Sequence, residues 1–313
     1  MLNEFEIIRR YFKRAQPARD DVLVGIDDDA AVLRVPAGSD LVSAIDTLVE
    51  GRHFPVGTAP QDIGWKALAV NLSDMAAMGA APAWFTLALT VPDVDEAWLQ
   101  AFADGLFELA DGHAVALVGG DTTRGPLTVS IAIHGLVPRQ GALLRRGAQA
   151  GDIVCVTGTL GDAALALQRT LRGESVDDAL AQRLSRPQPR LAAGRALRPL
   201  AHAGIDVSDG LAADLTHILQ ASGVGATLEV DKLPLPPPLR ELASAEAARL
   251  ALSGGDDYEL CVCLPEAQFA PAQAAVAEGL TPIGRIETEP GLRLVDAAGR
   301  SFALQRAGYA HFG

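Results

Sequence analysis

Short apolar runs alternate with helical patterns along the chain. The first half has six runs of strand character, at 22–26, 31–35, 40–45, 84–91, 114–118 and 127–137. Apolar residues at helical spacing follow Pro60 until Gly79 and Pro82 end that pattern, and a second helix is predicted at 96–112. This alternation favours layers of sheet and helix over a helical bundle or a β-sandwich.

The second half repeats the alternation after a segment rich in Gly, Ala and Arg at 138–152. Strands are predicted at 153–157, 252–264 and 281–286, helices at 161–172 and 189–201, and a Pro-rich connection at 233–238. A length of 313 residues with 49% hydrophobic residues suits two packed domains. We predict an α/β (α+β) protein with an N-terminal domain at 1–138 and a C-terminal α/β domain at 139–313.

Charge and cysteine content limit the kinds of partner and the cellular compartment that we expect for this protein. The chain has 26 Lys and Arg against 39 Asp and Glu, a net charge of −13, which disfavours nucleic acid as a partner. No apolar stretch approaches the roughly 20 residues of a membrane-spanning helix, and the start lacks the pattern of a secretory leader. Three cysteines without a CxxC motif fit a reducing compartment, so we expect a soluble cytoplasmic protein with no membrane partner.

Many of the carboxylates directly follow apolar, strand-like runs or lie among small residues. Any single Asp before Gly or Thr is more often a turn or cap residue than a ligand. Several together at strand ends repel one another unless cations neutralise them, and such hard oxygen ligands suit Mg²⁺ bound to substrate phosphates. Asp74 is the clearest case, because it lies inside a predicted apolar helix. The segments that contain these acidic residues are 25–30, 44–47, 119–123, 205–210 and 253–257.

Familiar nucleotide and metal signatures are absent from the sequence. None of the three lysines lies in a GxxxxGK[ST] loop, and no GxGxxG follows a strand. The six histidines show no HxH or HExxH spacing, which makes a zinc site unfavourable. His53 lies in a loop near the acidic groups, where a site role and a structural role are equally open.

Five motifs carry a resemblance to one family. The segments at 46–54, 66–80, 119–125, 206–211 and 252–260 closely resemble, in order, those of thiamine-monophosphate kinases. The resemblance extends over essentially the whole chain. It implies a two-domain fold like that of aminoimidazole ribonucleotide synthetase, with the N-terminal sheets of a homodimer pairing into a barrel. It also implies ATP-dependent conversion of thiamine monophosphate to thiamine diphosphate, the final step in making that cofactor.

The resemblance further implies which residues bind, with no acid or base catalyst among them. Several Mg²⁺ ions would bind Asp29, Asp46, Asp74, Asp121, Asp206 and Asp209. ATP would contact Gly120, Asp121, Arg145 and Ser208. Thiamine monophosphate would contact His53, Asp256 and Tyr309. Because no hydroxyl in the motifs has a neighbouring base, we predict direct in-line transfer without a phosphoenzyme.

The chain departs from the family pattern at three places. Asp27 stands where the family has Gly, Ala44-Ile45 replaces a Ser-Thr pair, and Asp256 stands where Glu is common. Readings like selenophosphate synthetase or a hydrogenase-maturation protein are disfavoured, because they require a cysteine near the N-terminus or at the C-terminus. A nucleotide-binding protein without kinase activity remains an alternative, and ATP turnover with and without thiamine monophosphate distinguishes the two.

Overall fold

A four-stranded mixed sheet organises the N-terminal part of the chain. The computed structural model describes residues 3–14 and 19–309. The strands lie in the order β3-β6-β4-β5, in which only β4 and β5 are parallel neighbours. A short antiparallel pair precedes this sheet. The strands of this part are β1 (Val22–Val24), β2 (Val32–Leu33), β3 (Ser39–Val49), β4 (Ala81–Val91), β5 (Ala116–Arg124) and β6 (Thr128–Pro138).

Within the described residues of this part, three helices accompany these strands. Helix α1 (Glu4–Ile7) begins with a capping box from Asn3 and continues as a π-helical segment, Ile8–Phe12. Helix α2 (Pro60–Ala77) begins at a proline, and α3 (Glu96–Gly112) begins where Asp95 accepts two backbone N–H groups. Strand β6 alternates buried and half-buried residues, so one face of the sheet forms the core. Strand β3 is an edge strand, and its Leu41 and Ile45 are 49% and 67% exposed.

A second, six-stranded sheet organises the rest of the chain. Its order is β12-β9-β11-β7-β10-β8, and all neighbours are antiparallel except β9 and β12. The strands are β7 (Ile153–Thr157), β8 (Ala203–Val207), β9 (Gly225–Glu229), β10 (Glu259–Leu264), β11 (Leu280–Glu287) and β12 (Gly291–Val295). The helices are α4 (Asp162–Leu171), α5 (Asp178–Ser185), α6 (Leu191–Leu197), α7 (Leu211–Ser222), α8 (Pro237–Arg240), α9 (Ser244–Ser253) and α10 (Glu266–Ala275).

Contacts divide the chain into two units. The first unit contains Met1–Met75 and Ala80–Gln140, and the second contains Ala76–Gly79 and Gly141–Gly313. The class of layered sheets and helices in two parts is confirmed, and so is the helix that carries Asp74. Within the described ranges, no helix has both the length and the apolar character needed to span a membrane.

One strand prediction was wrong over half its length. The segment 252–264 begins as the end of α9, passes through a loop, and becomes β10 only at Glu259. Asp256 and Tyr258 in that loop have φ of +67° and +50°, and such left-handed residues interrupt an extended strand. The interpretation of Cys261 and Cys263 as strand core residues is confirmed, because both are fully buried on β10.

Candidate active site

A cavity of about 810 Å³ lies in the first unit and is lined by the N-terminal helical segment, the loop between β1 and β2, and strands β4 and β5. Two motifs from the sequence meet there: Asp27-Asp28-Asp29, in the loop between β1 and β2, and Gly119-Gly120-Asp121 on β5. Residues of the N-terminal helical segment, including Arg9, complete its lining. The structure therefore brings together three of the predicted site residues, Asp29, Gly120 and Asp121.

Gly120 explains why the second motif needs glycine. Its φ is +154°, and a Cβ at this position would lie 1.9 Å from the carbonyl oxygen of Leu87 on β4. A side chain here would both strain the backbone and collide with the neighbouring strand. The strand pair also shifts register between Phe85 and Thr86, just before this point. The result is a close backbone approach that brings Asp121 to the cavity.

Asp27 is strained in the first motif. Its φ of +115° lies in the region that favours glycine, which is the residue that the family pattern has at this position. The Asp27 side chain forms an exposed ion pair with Lys13. The next two residues are linked locally, since Asp28 Oδ1 accepts the backbone N–H of Asp29 at 2.9 Å.

The residues around this cavity fit a magnesium-bound phosphate. Five carboxylates line it, and Arg9 is the only basic residue among the described lining residues. Across the described ranges, no three His, Cys, Asp or Glu side chains form a group that could hold a metal ion unaided. Mg²⁺ ordinarily takes one or two carboxylates and completes its shell with water and substrate phosphates, so a ready-made protein cage is not required.

Three predicted site residues of this unit lie outside the cavity lining. Asp46 is half-buried on β3, and Asp74 is half-buried in α2. One turn before Asp74, the buried Asn71 donates to the Ala67 carbonyl at 2.9 Å, while its Oδ1 has no hydrogen-bond partner among the described residues. Asn71 Oδ1 and the Asp74 carboxylate are both hard oxygen ligands, and they lie one turn apart on the same helix.

His53 has a defined tautomer in the loop after β3. Its Nδ1 accepts the backbone N–H of Val49 at 2.9 Å. In the neutral imidazole the other nitrogen, Nε2, must then carry the proton. This half-buried side chain can therefore donate a hydrogen bond to a phosphate oxygen.

The second unit has its own cluster of predicted site residues at the end of β8. Asp206 is buried on that strand, and Ser208 and Asp209 follow it in a half-buried turn before α7. The backbone N–H of Asp256 donates to the Ser208 carbonyl at 2.9 Å, and that of Tyr309 donates to the Asp209 carbonyl at 2.9 Å. The structure thus joins four of the predicted residues by main-chain bonds.

Arg145 lies on an exposed segment after β6. Ser222 Oγ supports this segment, because it accepts the backbone N–H groups of Gly147 and Ala148 at 3.1 Å and 3.2 Å.

Asp256 is oriented by its own loop. The Tyr258 hydroxyl donates to Asp256 Oδ1 at 2.8 Å, and both residues adopt left-handed conformations. The intervening Asp257 is fully buried and accepts the Gly161 N–H at 2.9 Å and 3.0 Å. Burial raises the pKa of Asp257 well above its usual value. Two strained residues, Asp256 and Tyr258, therefore lie in one loop, and backbone strain of this kind concentrates at functional sites.

A buried ion-pair network anchors the strand that follows this loop. Glu259 is 0% exposed, and Arg190 binds it through two bonds, Nε to Oε2 at 2.7 Å and Nη2 to Oε1 at 2.6 Å. Arg183 Nη2 donates to Oε1 at 3.0 Å and Thr157 Oγ1 to Oε2 at 2.7 Å. Both carboxylate oxygens are therefore satisfied at the start of β10.

Asp214 was missed by the sequence reasoning. It lies in the first turn of α7, is 3% exposed, and accepts backbone N–H groups from the turn that carries Ser208 and Asp209. Burial, with Asp206 and Asp209 nearby, raises the pKa of Asp214 to about 7. The available signal was an Asp at an apolar position of a helical pattern, the same signal that identified Asp74.

Comparison with known proteins gives the family. Residues 27–137 match the family described as AIR synthase related protein, N-terminal domain, and residues 149–297 match the corresponding C-terminal domain. The thiamine-monophosphate kinase of Salmonella typhimurium is 48% identical over 319 residues, covering 99% of this chain and 98% of that protein. The chain belongs to the thiamine-monophosphate kinase family. The Bacillus subtilis member is 35% identical and covers 99% of this chain and 100% of that protein.

Solved structures of the family share the fold. The thiamine-monophosphate kinase of Stenotrophomonas maltophilia K279a has a TM-score of 0.83 and 51% identity, covering 88% of this chain and 92% of that one. AaThiL complexed with AMPPCP and TMP has a TM-score of 0.79 and 31% identity, with 91% of each chain covered. A hydrogenase maturation protein, HypE in complex with ATP, is 20% identical at a TM-score of 0.74, a likeness of fold alone.

Proposed function

We propose that this chain transfers the γ-phosphoryl group of ATP to the phosphate of thiamine monophosphate, giving thiamine diphosphate and ADP. Family membership makes it a phosphotransferase. The observation that carries the proposal is the meeting of Gly119-Gly120-Asp121 with Asp27-Asp28-Asp29 at one cavity. The kinase relative AaThiL, which holds AMPPCP and TMP, supports the same pair of substrates.

Each unit supplies a share of the predicted contacts. In the first unit, Gly120 and Asp121 would contact ATP and His53 would donate from Nε2 to thiamine monophosphate. In the second unit, the ATP contacts would be Arg145 and Ser208, and the substrate contacts Asp256 and Tyr309. The carboxylates that would hold Mg²⁺ are Asp29, Asp46, Asp74, Asp121, Asp206 and Asp209.

The mechanism needs positioning more than acid or base chemistry. When bound, Mg²⁺ would neutralise the phosphate charge that otherwise keeps two anionic reactants apart. An oxygen of the acceptor phosphate forms the new bond to the γ-phosphorus while the bond to the β-γ bridging oxygen breaks and ADP leaves. A phosphate dianion is already nucleophilic, so this chain's residues need only hold the two phosphates in line. Chirally labelled γ-thiophosphate should emerge with inverted configuration, and retention would contradict direct transfer.

Activity of the purified protein tests the function. ATP, Mg²⁺ and thiamine monophosphate should yield thiamine diphosphate and ADP in equal amounts, with little ADP when thiamine monophosphate is omitted. Asp121→Asn should lower kcat/KM by about 100-fold or more, because it removes a charge at the cavity. Asp104→Asn, at an exposed position of α3, is the matched control and should leave the rate unchanged. ATP binding without product formation would support the non-kinase alternative.

We also propose that the chain forms a homodimer through the first sheet and that it works in the cytoplasm. Strand β3 supports it, because an 11-residue edge strand with exposed Leu41 and Ile45 is a surface that proteins usually cover. Light scattering after size exclusion should give twice the chain mass, and Ile45→Lys should lower it. An unchanged mass for Ile45→Lys would mean that β3 is not the interface.

A further inference from the structure

Asp214 gathers three successive backbone amides on one oxygen. Its Oδ2 accepts the N–H groups of Ser208 at 3.0 Å, Asp209 at 3.1 Å and Gly210 at 3.1 Å. An arrangement of consecutive N–H groups around an anion is a nest, and here the anion is the protein's own buried carboxylate. Because these three donors converge on it, Asp214 fixes the direction of each peptide in the turn.

The second of these three peptides also reaches a predicted substrate contact. The peptide between Ser208 and Asp209 donates its N–H to Asp214, while its carbonyl accepts the N–H of Asp256 at 2.9 Å. A trans peptide is planar, with its N–H and C=O pointing in opposite directions. Holding the N–H therefore sets where the carbonyl can receive Asp256.

The third peptide does the same for another segment. The peptide between Asp209 and Gly210 donates its N–H to Asp214, and its carbonyl accepts the N–H of Tyr309 at 2.9 Å. One carboxylate is thus connected, through two rigid peptides, to two segments that are distant in sequence from it and from each other.

Close backbone packing makes this arrangement specific. A Cβ at Gly255 would lie 2.6 Å from the Ser208 carbonyl oxygen, and one at Gly308 would lie 2.6 Å from the Asp209 carbonyl oxygen. Both distances are shorter than real Cβ contacts, so each segment approaches the turn at a distance that only glycine permits.

We propose that Asp214 is a positioning residue that aligns the nucleotide, metal and substrate contacts of the second unit through one turn. The inference rests on the proposed function, which assigns those contacts to Ser208, Asp209, Asp256 and Tyr309. Asp214 itself does not touch a reactant, because its carboxylate is buried and directed at backbone. Its loss should therefore weaken binding of ATP and thiamine monophosphate together, whereas the loss of a single contact weakens one.

Three variants and one control test the proposal. Asp214→Ala removes the acceptor, Asp214→Asn keeps one neutral acceptor oxygen of the same length, and Asp214→Glu moves the carboxylate by one methylene. Asp152→Ala is the control. Asp152 lies in the same unit and is also 3% exposed, but it accepts the Gln149 N–H and pairs with His202 rather than with the turn at 208–210.

Amide exchange gives a readout that is independent of activity. In Asp214→Ala, amide exchange at Ser208, Asp209 and Gly210 should accelerate about 10-fold or more. Exchange at Asp256 and Tyr309, whose acceptors lie in the same turn, should accelerate as well. KM for ATP and for thiamine monophosphate should both rise about 10-fold, with Asp214→Asn close to the wild type. Asp152→Ala should lower stability while leaving both KM values within about two-fold of the wild type.

Each outcome decides the proposal. Unchanged exchange at 208–210, or wild-type KM values, in folded Asp214→Ala would overturn it. If the alanine variant does not fold, Asp214→Glu takes its place, and the same joint rise in both KM values is expected; wild-type values there would overturn the proposal. A wild-type protein without kinase activity would refute the proposed function, while the exchange rates would still decide the role of Asp214.

Discussion

Replacing Glu259 by Gln should destabilise the second unit severely. The substitution keeps the volume of a fully buried side chain but converts one of two acceptor oxygens into a donor facing arginine. Two bonds to Arg190, one to Arg183 and one to Thr157 share those two oxygens. About half of the bonds lose their acceptor, and two guanidinium groups lose their nearest counter-charge. The next carboxylates are more distant, with Asp162 3.8 Å from Arg183 and Glu278 3.9 Å from Arg190.

The expected cost is about 3–5 kcal/mol, the range for breaking a buried pair by removing one partner. This is a large fraction of a total stability of roughly 5–15 kcal/mol. Urea denaturation followed by circular dichroism would measure it. Combining Glu259→Gln with Arg190→Gln should cost less than the two single changes added together, by about 1–3 kcal/mol.

An exposed pair provides the matched control. Glu266 and Arg285 lie 3.1 Å apart with both side chains largely exposed, and Glu266→Gln should change stability by less than about 1 kcal/mol. If Glu259→Gln costs no more than Glu266→Gln, or if the double variant is strictly additive, the network does not hold β10 in place. The loss should also raise KM for thiamine monophosphate, because the strand follows directly on the Asp256 loop.

Three further changes test separate features of the fold. Asp27→Gly should raise stability, because relieving a positive φ recovers about 1–3 kcal/mol whereas the exposed Lys13 pair contributes at most about 1; a lower urea midpoint would contradict the strain. Gly120→Ala should cost about 3 kcal/mol or more through strain and collision with β4, whereas Gly112→Ala, with open space around it, should cost nothing. Burial lowers the pKa of His134 below its ordinary 6.5, so the unfolded chain takes up a proton first as pH falls. Stability should therefore be lost below about pH 6.5, and His134→Gln should flatten that dependence.

Local pattern was sufficient for elements with strong periodicity or clear stop signals. The helix from Pro60 was predicted because proline begins it and apolar residues recur along it, and Asp74 was singled out by its apolar company. The acidic segments at 25–30 and 119–123 were singled out by their position after apolar runs, and the family resemblance then assigned Asp29 and Asp121 within them. The structure places both residues at one cavity.

Interactions between distant residues could not be read from the pattern. Glu259 lies in an apolar run whose burial is compensated by Arg183 and Arg190, and that pairing depends on the tertiary fold. The left-handed Asp256 and Tyr258 gave no local sign of interrupting a strand, because neither residue type demands that conformation.

The place of β7 in the second sheet has a consequence for synthesis of the chain. All five of its residues are buried, and its two neighbours are β10 and β11. The first of these begins 102 residues after β7 ends (259 − 157). At roughly 5–20 residues per second, the ribosome needs about 5–20 s to make that stretch. During this time a strand with four apolar residues out of five has neither partner, so we expect holding chaperones to bind nascent chains that end between residues 157 and 259 more strongly than complete ones.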